Sequence, residues 1–131
     1  MMHDNASWVN STVASVNDDE SFQRAAEHFD GSIALEIGET TVWLKLYRGA
    51  IIDTESYVPR FGATFRLTGE AADWQRLANR ELSFSQASYQ GIISSSGDKL
   101  EANRMREAIE LFVRHLQRVV ANESAETRWA E

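Results

Sequence analysis

The chain contains no cysteine and only one proline among its 131 residues. Without cysteine there is no disulfide framework, no thiolate nucleophile and no cysteine metal site, which suits a cytoplasmic protein. No apolar run approaches the roughly 18 residues that a membrane-spanning helix needs, so we expect no stable membrane anchoring. Residues 1–20 also lack the basic start and apolar centre of a secretory signal.

Basic residues are in the minority, because 13 Lys and Arg stand against 20 Asp and Glu, for a formal net charge of -7. Phosphate backbones and anionic membrane surfaces repel such a chain, so we predict no nucleic-acid partner. The final residues, Trp129, Ala130 and Glu131, do not form a Ser-Lys-Leu peroxisomal address, and Trp129 has no evident role. The length and the apolar content of 43% fit one globular domain with a proper core.

Histidine is scarce as well, and none of the histidines has a ligand neighbour in the sequence. A metal pair on a helix needs ligands three or four residues apart. Around His28 and His115 those positions hold no histidine or carboxylate, and His3 lies close to the start of the chain. We therefore predict no metal site and interpret His28 and His115 as surface or structural residues.

No other pattern predicts catalysis. The chain has no G-x-S-x-G elbow, and the serine-rich residues 94–97 lack the spacing of a phosphate-binding loop. Asp53 and Glu55 share one face of a strand, an arrangement more typical of a soluble edge strand than of an acid/base pair. Asp73 lies in the first turn of a helix, where the helix dipole favours a carboxylate. We predict no catalytic residue, no cofactor and no enzymatic activity.

Helical periodicity marks both ends of the sequence. Apolar residues spaced three and four apart predict helices over residues 7–16 and 20–29. Near the other end, Asp98 with Glu101 three residues later forms a capping box, and a long apolar stripe follows. The stripe predicts one continuous helix over residues 98–120.

Between these helices the hydrophobic period changes to two, which is typical of strands. Residues 33–37 and 42–47 alternate in this way around a glycine turn and predict a hairpin. A third strand over residues 50–57 is more polar and is expected at an edge of the sheet. A fourth strand is predicted over residues 64–68, and a short serine-rich fifth over residues 92–96.

The second half of the chain has an ordered set of features: a strand ending in glycine, a short helix with Asp-Trp, a polar-aromatic turn, a strand between glycines, and a long helix. This order resembles the sterol carrier protein type 2 family, and the resemblance covers about residues 22–120. It implies a single domain, which we place over residues 1–131. The sequence at the two ends predicts that residues 1–6 and 122–131 are flexible. The matching positions are Gly69, Asp73, Trp74, Leu77, Gly91, Gly97 and Asp98.

The resemblance implies an α+β fold, with a five-stranded, mixed and mostly antiparallel sheet covered on one face by helices. It also implies non-catalytic binding or carriage of a hydrophobic small molecule, such as a lipid, a fatty acyl chain or a sterol-like compound, in a cavity between sheet and helices. Whether Trp74 contacts the ligand or fills the core stays open. The predicted ligand-binding residues are Leu44, Leu46, Phe65, Trp74, Phe84, Met105, Ile109 and Phe112.

Two alternatives stay open at this point. The first is a small cone-shaped enzyme of the ketosteroid isomerase or scytalone dehydratase type, which requires a His-Asp or Tyr-Asp pair inside the cone. The long helix after Asp98 argues against it, since that fold ends in long strands. The second is an interaction module in which the apolar surface binds a partner protein or a second copy of the chain, and a homodimer stays open on the same grounds.

Overall fold

The computed structural model describes residues 7–130, with side chains described to residue 122. The chain begins with two helices, continues with four strands, and then alternates short helices with one more strand before a long final helix. In order these are α1 (Ser7–Asn17), α2 (Glu20–Ala26), β1 (Gly31–Ile37), β2 (Thr40–Tyr47), β3 (Ala50–Glu55), β4 (Phe65–Gly69), α3 (Ala71–Ala78), α4 (Phe84–Tyr89), β5 (Ser94–Gly97), α5 (Lys99–Arg104) and α6 (Arg106–Ala130).

The strands form one five-stranded sheet in the order β3-β2-β1-β4-β5. Neighbouring strands run antiparallel except for β1 and β4, which are parallel. The predicted α+β class with a mixed, mostly antiparallel sheet is therefore confirmed. The polar strand β3 lies at one edge, as its composition indicated, and the serine-rich β5 lies at the other.

One face of the sheet is apolar across its three central strands, β2, β1 and β4. Ile33 lies opposite Leu44 on one side and Phe65 on the other, so the three side chains form a row across the sheet. Leu35 lies in the same way between Val42 and Leu67. All of these residues are buried beneath the helices, and they form the sheet side of the core.

The opposite face is covered in part by the loop between β3 and β4. Trp43 is only 2% exposed there, although it points away from the helices. Its indole Nε1 donates a hydrogen bond to the carbonyl of Gly62 at 3.3 Å, and its ring meets Phe61 edge-on at 5.6 Å. The loop thus covers an aromatic residue that the alternating pattern of β2 places on the outer face.

Helix α1 is fixed against the edge strand and the last helix. The side chain of Asn17 accepts a hydrogen bond from the amide of Ile51 at 2.8 Å and donates one to the carbonyl of the same residue at 2.9 Å. These bonds satisfy backbone groups of an edge strand, which are otherwise open to pairing. Trp8 and Val16 of α1 are buried, so the N-terminal helix belongs to the core.

The prediction of one continuous helix over residues 98–120 is wrong, because the helix is interrupted at Met105. Asp98 caps α5 as expected, and its carboxylate accepts a hydrogen bond from the amide of Glu101 at 3.1 Å. Met105 then has φ −90° and ψ 6°, in the sparsely populated region between helix and strand. The break lets Met105 enter the core while α5, with no buried residue, lies beside β4 and β5.

Helix α6 continues to Ala130, so the backbone of most of the predicted flexible end at 122–131 is helical. The predicted flexibility of residues 1–6 lies outside the described residues, and so do the side chain of Trp129 and the position of His3. Over the part of the chain that the structure describes, no helix combines the length and apolar character needed to cross a bilayer.

Candidate binding cavity

A small apolar cavity of about 20 Å³ lies between the inner face of the sheet and the helices. The residues that line it are apolar and buried, so the cavity lies within the hydrophobic core. Its volume is about that needed for one water molecule, but the wall offers no hydrogen-bonding group except the indole of Trp74, which already has a partner. Apolar cavities of this kind stay dry, and their walls lack partner atoms on one side.

The structure brings the predicted residues of the helical layer together around this cavity. Helices α3 and α4 contribute one aromatic residue each, and the break between α5 and α6 contributes a methionine. The remaining two lie on consecutive turns of α6. These residues are Trp74, Phe84, Met105, Ile109 and Phe112.

The predicted residues of the sheet are buried but lie outside the cavity wall. Leu44, Leu46 and Phe65 are at most 2% exposed, and Phe65 packs edge-on against Phe29 with ring centroids 5.8 Å apart. The period of two identified the buried face correctly but does not give the position along that face where a void remains. Contact of any of these residues with a ligand stays a prediction. The sheet side of the cavity is formed by Ile33, Leu35 and Leu67, and α2 adds Phe22.

Hydrogen bonds from side chains hold the helices that frame the cavity. The indole Nε1 of Trp74 donates to the carbonyl of Glu36 on β1 at 2.9 Å, which fixes α3 on the sheet. The side-chain amide of Gln117 donates to the carbonyl of Leu77 at 3.0 Å and ties α6 to the same helix. Because these bonds satisfy buried polar groups, they orient the apolar wall without adding polarity to the cavity.

A second cavity of about 40 Å³ adjoins the first. The two share Leu67, Phe84 and Ile109 as common wall. On its far side the second cavity is polar and open to solvent, because most of the polar residues there are exposed, and it is bordered by β5, α4, α5 and the start of α6. The groups on that side are Ser88, Ser95, Asn103 and Arg106.

A chain of hydrogen bonds lies elsewhere on α6, around His115. Ser15 Oγ lies 2.6 Å from Nδ1 of His115, and Asp19 Oδ2 lies 2.7 Å from Nε2. Because a carboxylate only accepts, Nε2 holds the proton, and in the neutral ring Ser15 donates to Nδ1. The hydrogen bond from His115 holds the pKa of the Asp19 carboxyl below its usual value, against the opposing effect of partial burial.

The Ser15-His115-Asp19 chain joins three helices. Ser15 belongs to α1, His115 is buried on α6, and Asp19 caps α2 by accepting from the amide of Ser21 at 2.9 Å. His115 is bonded through both ring nitrogens, and its partners lie 96 and 100 residues away along the sequence. Spacing along one helix shows no such partners, and no local pattern predicts them.

The other residues weighed as chemical candidates are not assembled into a site. His28 is almost fully exposed beside Glu27, and Asp73 pairs with Arg76 one turn later on α3. Asp53 and Glu55 lie on the edge strand opposite Lys45 and Trp43. Within the residues that the structure describes, no three His, Cys, Asp or Glu side chains are grouped to hold a metal ion.

At the level of sequence, no known family profile and no curated protein matches the chain. Solved structures match its fold. A crystal structure of sterol carrier protein 2 superposes with a TM-score of 0.73 at 21% identity, covering 84% of this chain and 93% of that one. The conserved hypothetical protein TT1886 from Thermus thermophilus gives 0.73 at 21% identity, covering 88% and 87%. Palmitated SCP2L2 from Aedes aegypti gives 0.51 at 17% identity, covering 76% and 93%.

The geometry defines an α+β domain with a small apolar cavity between a mixed sheet and a helical layer. This is the sterol carrier protein type 2 fold, as the sequence resemblance implied.

Proposed function

We propose that the protein binds a hydrophobic small molecule without converting it, in the apolar cavity between sheet and helices. The observation behind the proposal is a wall of apolar side chains at the centre of the domain that leaves unfilled volume. The fold supports it, since a sterol carrier protein 2 is among the structural neighbours and another neighbour was solved in a palmitated form. The absence of cysteine supports a cytoplasmic location.

The binding energy would come from transfer of apolar groups out of water. Each buried methylene contributes about 0.8 kcal/mol, so roughly ten contribute ~8 kcal/mol before the lost freedom of the ligand is subtracted. A micromolar dissociation constant corresponds to about 8.2 kcal/mol. A longer chain or polar contacts would supply the difference, and the adjoining cavity offers Asn103 and Arg106 for such contacts.

A ligand of this size requires the cavity to expand, because about 20 Å³ is far too little for an acyl chain. The side chain of Met105 can change its conformation to make room, since methionine is unbranched and fits irregular shapes. It also lies at the break between α5 and α6, where the helix is interrupted. We propose that Met105 and its neighbours on α6 move apart when the ligand enters.

The proposal includes no catalytic role for the Ser15-His115-Asp19 chain. Ser15 lies inside α1, where its backbone follows the helix, and Asp19 is occupied as the cap of α2. A nucleophile also needs a pocket for its substrate and donors for the developing oxyanion. The cavities described above are not lined by Ser15 or His115. These three hydrogen-bonded residues are better explained as a structural link between α1, α2 and α6.

Native mass spectrometry of freshly purified protein tests the function directly, combined with organic extraction and mass analysis of the extract. We expect adducts with masses of hydrophobic small molecules that are lost on extraction. Purification from a second expression host separates a defined ligand from an accidental lipid. A ligand-free dimer from both hosts would contradict the proposal and support the alternative of a dimerisation module.

A further inference from the structure

Helix α5 is the least buried helix around the two cavities. It has no buried residue, and Leu100 at its centre is 60% exposed. Helix α4 has the same length but buries Phe84 and Ala87. Since burial of apolar surface is what holds a short helix in place, little free energy fixes α5 on the domain.

The side-chain hydrogen bonds of α5 also stay within its own segment, and at its end the amide of Met105 donates to the carbonyl of Glu101 at 3.0 Å. Asp98 caps the helix and Arg104 pairs with Glu101 at 3.3 Å. Among the described residues, no hydrogen bond or ion pair joins a side chain of α5 to another element of the fold. Displacement of α5 would therefore break packing at its cavity face but no side-chain polar contact to the rest of the protein.

Both ends of α5 are points where a rigid-body movement can begin. At the first end, the amide of Asp98 is held to the carbonyl of Thr64 at 2.9 Å, which anchors the chain next to β4. At the other end, the backbone of Met105 leaves the helical region. Helix–helix and strand–helix junctions of this kind are where hinge motions take up their changes in backbone angle.

The position of α5 connects the surface to the apolar cavity. Ala102 and Asn103 cover the polar cavity, which shares Leu67, Phe84 and Ile109 with the apolar one. Met105, directly after α5, lines the apolar cavity itself. The polar cavity already opens on the surface, since Ser95, Asn103 and Arg106 are exposed. An outward movement of α5 would thus widen this opening and draw Met105 away from the apolar cavity.

We propose that α5 is the gate of the binding cavity, which opens by pivoting between Asp98 and Met105 and admits the ligand through the polar cavity. The proposal that α5 admits a ligand rests on the proposed binding function. The opening of α5 does not, because it can be measured in the ligand-free protein. The ligand's apolar part passes first into the space vacated by Met105, and its polar end remains near Asn103 and Arg106.

Hydrogen exchange of the ligand-free protein tests the opening. The amides of Ala102, Asn103 and Arg104 are expected to exchange at least ~10-fold faster than the last amides of α4, at rates insensitive to low concentrations of denaturant. Helix α4 is the matched control because it has the same length and borders the same cavities. Equal protection of α5 and α4 would overturn the gate, whether or not the protein binds any ligand.

A reversible crosslink tests the route. Because the chain has no cysteine, the pair Ser88→Cys and Ala102→Cys can be joined selectively with a short, reducible bifunctional reagent across the polar cavity. We expect uptake of a fluorescent fatty acid to slow at least ~10-fold in the crosslinked protein and to recover on reduction. Uptake at the parent's rate in the crosslinked protein would overturn the gate.

The matched control is the pair Lys45→Cys and Asp53→Cys, which lie opposite each other on β2 and β3. Crosslinking there should leave uptake unchanged, and equal slowing by both crosslinks would overturn α5 as the route. A parent protein that takes up no probe would overturn the proposed function instead, and the exchange of α5 would then decide the gate alone.

Discussion

At the scale of single residues, His115 joins three helices through both of its ring nitrogens. It donates to the Asp19 carboxylate at 2.7 Å and lies 2.6 Å from the Ser15 hydroxyl. The hydrogen bond to His115 lowers the pKa of the Asp19 carboxyl in the folded state. A carboxyl with a lowered folded pKa contributes stability above its unfolded pKa, and that contribution is lost as the pH falls through the folded value.

Asp19→Asn should therefore destabilise the protein in a pH-dependent way. Asparagine is as good an N-cap as aspartate, so the substitution removes the charge from the contact with His115 but keeps the cap of α2. We expect the variant to melt a few degrees below the parent at about pH 6, and the gap to narrow at about pH 3 as the pH falls toward the lowered folded pKa of the parent's carboxyl. Thermal unfolding by circular dichroism at both pH values measures the gap.

An equally large difference in melting temperature at both pH values would show that the charge of Asp19 does not strengthen its hydrogen bond with His115. Probe binding by folded Asp19→Asn is expected to equal that of the parent, since Asp19 lies outside both cavity walls.

The two phenylalanines on opposite sides of the core differ in what surrounds them. Phe65 is fully buried on β4 away from the cavity, whereas Phe112 on α6 lines it. An open cavity beside Phe112 would reduce the cost of its truncation to about 1 to 2 kcal/mol. At 24 cal/mol per Å³, the existing cavity of about 20 Å³ reduces the cost of truncating Phe112 by only ~0.5 kcal/mol.

Phe65→Ala and Phe112→Ala should thus each cost about 3 to 5 kcal/mol in urea unfolding. Their response to ligand should differ. Truncation of Phe112 enlarges the cavity, so a fluorescent fatty acid should raise the melting temperature of Phe112→Ala more than that of Phe65→Ala. Equal ligand-induced shifts in the two variants would contradict the location of the site.

At the scale of secondary-structure elements, the order of helices and strands was predictable from periodicity. The period of two set the inner row of the sheet, with Ile33, Leu44 and Phe65 side by side, and the polar composition of β3 placed it at an edge. The break at Met105 was not predictable, because residues 98–120 contain no glycine and no proline. It arises from tertiary packing, which buries Met105 but leaves α5 exposed.

The residues of the site were likewise predictable only where periodicity, and not tertiary packing, determines their position. An apolar stripe at helical spacing identifies the residues of α6 that face the sheet, and Ile109 and Phe112 line the cavity. The strands offer several equivalent apolar pairs, so the pattern does not distinguish Leu35 and Leu67 on the cavity from Leu44 and Leu46 beside it. Which pair borders a void depends on where the helices cross the sheet.

At the scale of the whole molecule, the domain has two contrasting features. Its core is nearly filled, and one weakly held helix, α5, lies beside the remaining void. Filled packing gives the free protein stability, since each lost contact has a cost. A weakly held α5 gives the ligand access without unfolding the sheet. The account therefore predicts a protein that is closed when empty and expands around its ligand.

Binding of a fluorescent fatty acid to the parent and to Met105→Trp tests this central claim most directly. Tryptophan fills the space that a ligand would need, at a stability cost of about 1 to 3 kcal/mol from overpacking. Ile52→Trp on the exposed face of β3 is the matched control, because it adds the same indole where Ile52 is 58% exposed.

We expect the parent and Ile52→Trp to bind the probe with a dissociation constant of about a micromolar. Met105→Trp should remain folded by circular dichroism and bind at least ~10-fold more weakly, a loss of about 1.4 kcal/mol. Absence of binding in the parent, or unchanged binding in folded Met105→Trp, would contradict a ligand site in the cavity between sheet and helices.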